Sequence, residues 1–144
     1  MMRRLFLLLS FCASLTMAQG LPVMELTAGF HRIEAEVAAT PQSRAQGLMH
    51  RKAMDSQRGM LFVFPDAEPH CFWMKNTLIP LSIAFMDAHG RILNIAEMKP
   101  QSEENHCAAK PVRYALEMNA GWFAQRGLKV GDVLGGIKRA PRGQ

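Results

Sequence analysis

Beyond residue 30 the apolar residues come in short runs, each closed by a glycine, a proline or an Asp/Asn turn signal. Residues 31–39, HRIEAEVAA, alternate Ile33, Ala35, Val37 and Ala39 against Arg32, Glu34 and Glu36, the period of a strand with one wet face. Residues 60–64, MLFVF, follow Gly59, stop at Pro65 and read as a buried strand. Residues 81–86 and 92–95 flank the turn DAHG, a hairpin pattern closed by Gly90. In YALEMNAG (114–121), Tyr114, Leu116 and Met118 lie opposite Glu117 and Asn119, and KVGDVLGGI (129–137) reads as a turn and a last strand. Helix is expected in two places. One is PQSRAQGLMHR (41–51), opened by Thr40-Pro41, with Arg44 and Arg51 projecting on one side; the other is a turn or two in GWFAQRG (121–127). Many short strands with minor helix predict an all-β sandwich or barrel.

The N-terminus sets the compartment in which those strands fold. MMRR supplies a positive n-region, LFLLLSFCASLTM an apolar h-region, and Thr16 and Ala18 the small residues of a cleavage site before Gln19. A secretory signal peptide over residues 1–18 is therefore expected, with a periplasmic or secreted location. Its apolar stretch of about thirteen residues is too short to span a bilayer. Cys12 follows Phe11 inside that stretch, which argues against a lipoprotein. No later stretch is long and apolar enough for a transmembrane helix, so no stable membrane insertion is expected after cleavage. Removing 18 of 144 residues leaves 126, one domain over 19–144 with a core near 24–137 and a flexible basic tail at 138–144. Arg3 and Arg4 leave with the signal, lowering the formal charge from +5 to +3. The remaining basic residues are scattered, and no nucleic-acid partner is expected.

Cleavage removes Cys12 and leaves Cys71 and Cys107. Two thiols in an oxidising compartment are expected to form one disulfide. His70 and His106 each precede a cysteine, which raises zinc or copper binding as the alternative. Adjacent side chains on a strand point to opposite faces, so both members of a His-Cys pair would not easily reach one ion. Eight of the eleven methionines lie beyond residue 18, spread one per element, and read as fillers of an irregular core. No cofactor and no metal site is expected.

Five motifs then occur in order: Arg44-x-x-Gly47-Leu48-Met49-x-Arg51; Gly59-Met60-Leu61-Phe62; Phe72-Trp73-Met74-x-Asn76-Thr77-x-Ile79-Pro80-Leu81; Leu116-Glu117 with Ala120-Gly121; and Gly131-Asp132. Together they resemble the domain of unknown function 192 family, over about residues 24–137. The resemblance implies a mostly antiparallel, jelly-roll-like β-sandwich and no established activity. One position departs from it: where the family has Leu-Asp-Ile after the proline, this chain has Leu81-Ser82-Ile83. A role needing that carboxylate, in metal ligation or general-base catalysis, loses its group.

The residues themselves offer little catalytic chemistry. GxSxG, HxxxH and CxxC are missing, and no motif fixes a histidine beside a nucleophile. Glu117 is the one acid in a motif with apolar surroundings, and its partner for two-carboxylate chemistry would have been position 82. In CFWMKNTLIPLSIAF (71–85), Lys75-Asn76-Thr77 interrupts two apolar runs. Asn and Thr side chains bond to nearby backbone, which accounts for a bend there. The functional use of the same residues is a shallow binding site. Trp73 would be its stacking platform, with Lys75, Arg44 and Arg51 as donors and Asn76, Thr77 and Glu117 as orienting groups. The expectation is an exported binding or envelope-associated module for a polar or anionic ligand such as a glycan fragment. A hydrolase or lyase acting on cell-wall or polysaccharide material is the alternative, and copper or other metal handling is the third.

Overall fold

A computed structural model describes residues 20–144; the signal segment read at 1–18 lies outside the described residues. Met24, Leu26 and Ala28 alternate with Glu25 and Thr27, and the chain forms its first strand there, β1 (Val23–Ala28). Gly29, at φ 60°, turns it back into an antiparallel partner, β2 (His31–Ala38). Thr40 caps α1 (Pro41–Gln46): its Oγ1 accepts the Ser43 N–H at 3.1 Å, and Ser43 Oγ accepts the Thr40 N–H at 3.0 Å. The helix expected to reach residue 51 ends at Gln46, because Gly47 leaves helical space at φ 48°.

The chain continues through β3 (Arg58–Glu68), β4 (Cys71–Phe72), β5 (Leu81–Met86), β6 (Ile92–Met98), β7 (His106–Cys107), β8 (Val112–Asn119) and α2 (Trp122–Gln125). β5 and β6 are the expected hairpin, its turn held by Asp87 Oδ1, which accepts the N–H groups of His89 and Arg91 at 2.8 and 3.0 Å. β3 runs past Pro65, where a stop was expected. Its ladder with β8 is interrupted between Val63 and Glu68, so a residue lacking an N–H removes no ladder bond there. No strand forms at 129–137. Single bridges join Thr27 to Gly135 and Arg91 to Val133, and a 3-10 turn follows at Ile137–Arg139. Gly131 and Gly136, both at positive φ, break the run.

Six strands form one sheet in the order β1-β2-β3-β8-β5-β6, antiparallel except for the parallel pair β2–β3; β4 and β7 form a separate ribbon. The fold is all-β with two short helices, and it is sandwich-like rather than a closed barrel. The ribbon docks on one face of the sheet through Phe72, whose ring meets those of Phe62 and Phe85 edge-on at 4.8 and 5.7 Å.

Alternate residues of the central strands feed two separate cores. Leu61, Leu116 and Met118 pack with Leu26, Trp122 and Phe123 on one face. Met60, Phe62 and Ala115 pack with Leu48, Met74 and Phe85 on the other. Cys71 and Cys107 sit opposite each other in the ribbon and are joined by a disulfide. The end of the segment read as a flexible tail lies against the β2–α1 junction: the Gln144 N–H donates to the Ala39 carbonyl at 2.8 Å.

Two stability predictions follow from this packing. A Cβ on Gly59 would run into the Met118 sulfur and sit 2.6 Å from the Glu117 carbonyl oxygen. Gly59→Ala should therefore lower unfolding free energy by about 1–3 kcal/mol in urea titrations, as overpacking does. The disulfide closes a loop across 36 positions. Replacing both cysteines with serine should lower stability by about 3–4 kcal/mol on the chain-entropy account. An unchanged denaturation midpoint would show that the ribbon holds without its covalent clip.

Candidate functional site

The second face of the sheet is only partly filled. Helix α1 with residues 47–49, strand β3, and the chain around β4 enclose a cavity of about 280 Å³. Phe62, Phe64, Phe72 and Leu48 make its apolar walls, and Trp73, 46% exposed, stands at the opening. His70 stacks on Phe64 with ring centroids 3.6 Å apart.

Glu117 forms the buried end of this cavity. It belongs to the middle of β8, flanked by Met60 of β3 and Ile83 of β5 in register, and only 5% of it is exposed. Glu117 lies on the face opposite Leu116 and Met118, as its alternation with them implies, and α1 and the ribbon cover that face. Among the described residues no hydrogen-bond donor reaches its carboxyl. Burial pushes the Glu117 pKa up to about 8, so the group carries a proton at neutral pH. Thr77, also 5% exposed, lines the same cavity and turns its Oγ1 to the Lys75 carbonyl at 3.3 Å.

Four of the residues singled out in the sequence meet here: Arg44, Trp73, Thr77 and Glu117. Arg44 acts first as a tie. Its Nη1 donates to the carbonyls of Ala39 and Val63 at 2.8 and 2.9 Å, its Nη2 to that of Gln144 at 2.6 Å, and the guanidinium lies 5.5 Å from the Phe64 ring centroid. Arg51, expected beside Arg44, does not line the cavity. The helix has ended, and Arg51 makes a two-pronged bond to Glu36 at 2.6 and 3.0 Å, which holds its guanidinium pKa above the ordinary value. Lys75 is exposed and does not line the cavity; its Nζ lies 5.2 Å from the Trp73 ring centroid.

Asn76 is the turn residue of the interrupted stretch, at φ 56° in the left-handed region that asparagine tolerates. Its carbonyl accepts the His50 N–H at 2.9 Å, which fastens the segment after α1 to the rim. Sequence reasoning weighed His70 only as a metal ligand beside Cys71 and did not place it, or the phenylalanine walls, at a binding site. The signal was in MLFVF, where Phe62 and Phe64 share a face, two residues apart in a strand.

The sequence matches the DUF192 family model, described as "Uncharacterized ACR", over residues 23–136. The chain belongs to the domain of unknown function 192 family. A crystal structure from Novosphingobium aromaticivorans DSM 12444, of a protein of unknown function, is 36% identical with a TM-score of 0.77, covering 81% of this chain and 87% of that one. A second, from Sinorhizobium meliloti 1021 and described provisionally as a transcription regulator, is 38% identical with a TM-score of 0.72, covering 76% and 88%. No curated protein matches the sequence.

In this DUF192 chain the departure at position 82 has a structural meaning. Ser82 was expected to occupy the place of a partner for Glu117, but it faces the opposite side of the sheet. β5 pairs Ile83 with Glu117 and Ser82 with Met118, and neighbours in a strand point to opposite faces. Ser82 donates to the carboxylate of Glu97, its register partner on β6, at 2.6 Å. The Gly121 N–H, at the start of α2, donates to Ser82 Oγ at 2.8 Å and lies 3.2 Å from Glu97 Oε2. Ser82 and Glu97 together thus hold the Gly121 N–H at the start of α2, on the face of the sheet opposite Glu117. Among the described residues, no three His, Cys, Asp or Glu side chains come together as metal ligands, and no helix is long and apolar enough to cross a membrane.

The raised Glu117 pKa fixes the sign of a pH dependence. In the unfolded chain the carboxyl loses its proton near 4.3, whereas in the fold it holds it to about 8. Between those values the folded state binds the extra proton, so stability falls as pH rises through that window and levels off above it. Glu117→Gln should abolish this slope and raise stability at pH 7 by roughly 3 kcal/mol. Parallel slopes for wild type and variant in urea titrations from pH 4.5 to 8.5 would remove Glu117 as the source.

Proposed function

We propose that this protein is an exported binding module that seats a small polar ligand in the cavity beneath α1. The observation carrying this reading is Glu117: an acid buried in the central strand of the sheet, without a partner among the described residues, at the inner end of an open aromatic-walled cavity. A buried carboxyl lacking a hydrogen bond is destabilising by about 1–3 kcal/mol, and a ligand that bonds to it removes that penalty. The cavity volume of about 280 Å³ suits a single ring or a short chain rather than an extended polymer. A sugar ring of a glycan fragment has the right character, with hydroxyls for Glu117 and Thr77 and a face for Trp73. An anionic ligand is less well served, since Arg51 is paired with Glu36 and much of Arg44 is spent on backbone carbonyls. Export is supported by the N-terminal signal pattern and by the Cys71–Cys107 disulfide, a bond that persists in oxidising compartments.

One observation favours a second reading, hydrolase or lyase action on polysaccharide. A carboxyl that keeps its proton to about pH 8 is equipped to act as a general acid. Among the described residues, however, Glu117 is the single acidic side chain lining the cavity, so two-carboxylate glycoside chemistry has no second group there among them.

Amide NMR spectra recorded against a panel of monosaccharides, small alcohols, amines and carboxylates test the binding reading. Binders should shift the resonances of residues 47–49, 72–77 and 116–118, and Trp73→Ala and Glu117→Gln should each weaken binding at least tenfold without unfolding the protein. Shifts scattered over the surface, or affinities indifferent to both variants, would place binding elsewhere. Breakdown of a saccharide that stops in Glu117→Gln would favour the enzyme reading.

A further inference from the structure

The chemistry of the cavity narrows the ligand further. Among the described residues its lining carries one acid, Glu117, and one permanent cation, Arg44, whose guanidinium is already bonded to the carbonyls of Ala39, Val63 and Gln144. Burial alone accounts for the upward displacement of that carboxyl; neither Arg44 nor Lys75 is close enough to pull it back. The neighbouring strands offer only Met60, Phe62 and Ile83 around it, all apolar. The group is therefore a latent anion whose counter-charge the protein does not supply.

The walls point the same way. Aromatic faces carry negative potential and attract cations. Two of the rings at this site already engage the protein's own cations: Arg44 lies 5.5 Å from the centre of Phe64, and Lys75 Nζ lies 5.2 Å from that of Trp73. Phe62 and Phe72, further in, have no such partner among the described residues. An anion placed there would meet aromatic rings and a carboxyl, with Arg44 already engaged by three carbonyls. An ammonium would meet attraction from both.

We propose that the ligand of this cavity carries an ammonium group, a primary or substituted amine, held among the aromatic rings with its charge on the Glu117 carboxylate. The inference rests on the reading of the cavity as a binding site. On binding, Glu117 releases its proton to solvent and the resulting carboxylate pairs with the ligand cation, so charge at the inner end is balanced. The other charged or titratable groups facing the site are Arg44 from α1, His70 ahead of β4, and Lys75 above Trp73. Lys75 is exposed and can swing away from the opening.

Titration calorimetry with n-butylammonium, butan-1-ol and butyrate, three probes of one shape and different charge, tests this. The ammonium should bind at least tenfold more tightly than the alcohol, and butyrate should not compete. Ammonium affinity should rise by close to tenfold per pH unit from pH 6 toward 8 and level above it. Near pH 6.5, buffers of different ionisation enthalpy should report about one proton released per ligand. Glu117→Gln should erase both the preference for the ammonium and the pH dependence, assigning them to Glu117 rather than His70. An alcohol that binds as tightly as the ammonium, or an ammonium affinity flat or falling with pH, overturns the inference. Neutral probes or sugars that bind at these residues while the ammonium does not overturn the amine and leave the binding module standing. If neither these probes nor the wider panel shifts the cavity resonances, both readings fall.

Discussion

The pairing of β3 with β8 at the centre of the sheet buries both faces of both strands. A sheet covered on two sides needs two lids, and in a chain this short they must come from the connections between strands. On one face α2 and residues 128–140 supply the lid, with Trp122, Phe123, Leu134 and Ile137 closing it. On the other face the lid is made of α1, the turn at 47–50 and the β4–β7 ribbon, three pieces with little secondary structure of their own. That lid leaves the cavity over Glu117.

Pieces so short are held from outside rather than by their own hydrogen bonds. Arg44 fastens α1 to the carbonyls of Ala39 and Val63, and the Asn76 carbonyl fastens residue 50 to the bend after β4. The disulfide joins a ribbon of only two residues per strand. Phe72 then plugs the ribbon onto the sheet among Phe62, Phe64 and Phe85. Two residues expected as ligand contacts, Arg44 and Asn76, thus also tie the walls of the cavity together. Interactions that are few, specific and far apart in sequence keep a cavity open, where a continuous apolar interface would have closed it.

What the sequence disclosed follows from the range of the forces involved. Strand periodicity and turn chemistry are local, so β2, the β5–β6 hairpin and the disulfide could be read from residues 31–39, 81–95 and the two cysteines. The parallel pairing of β2 with β3 depends on which segments cover the sheet, and no local pattern encodes it. The same limit applied to the site. Glu117 stood out in the sequence for its apolar neighbours, but its burial could not be read there, because the pieces that cover it, α1 and the β4–β7 ribbon, come from separate earlier segments of the chain. Ser82 was misread. Lying one residue from the register partner of Glu117, it looked like a lost catalytic partner, but the two-residue period of β5 sends it through the sheet to cap α2.

Packing does not explain Glu117. A glutamine or methionine of similar size would satisfy the same position in β8 without an unpaired carboxyl, and the fold would gain from the exchange. The contrast with Glu36 and Glu97 is instructive, since each of those carboxylates is bonded to a side chain placed opposite it. Among the described residues His106 Nε2 is also buried without a partner, but Glu117 is the acid whose missing partner coincides with an open cavity. An energetic cost at an accessible place is one that binding can relieve. On the reading proposed above, that cost is electrostatic, and a ligand that relieves it brings a donor or a positive charge.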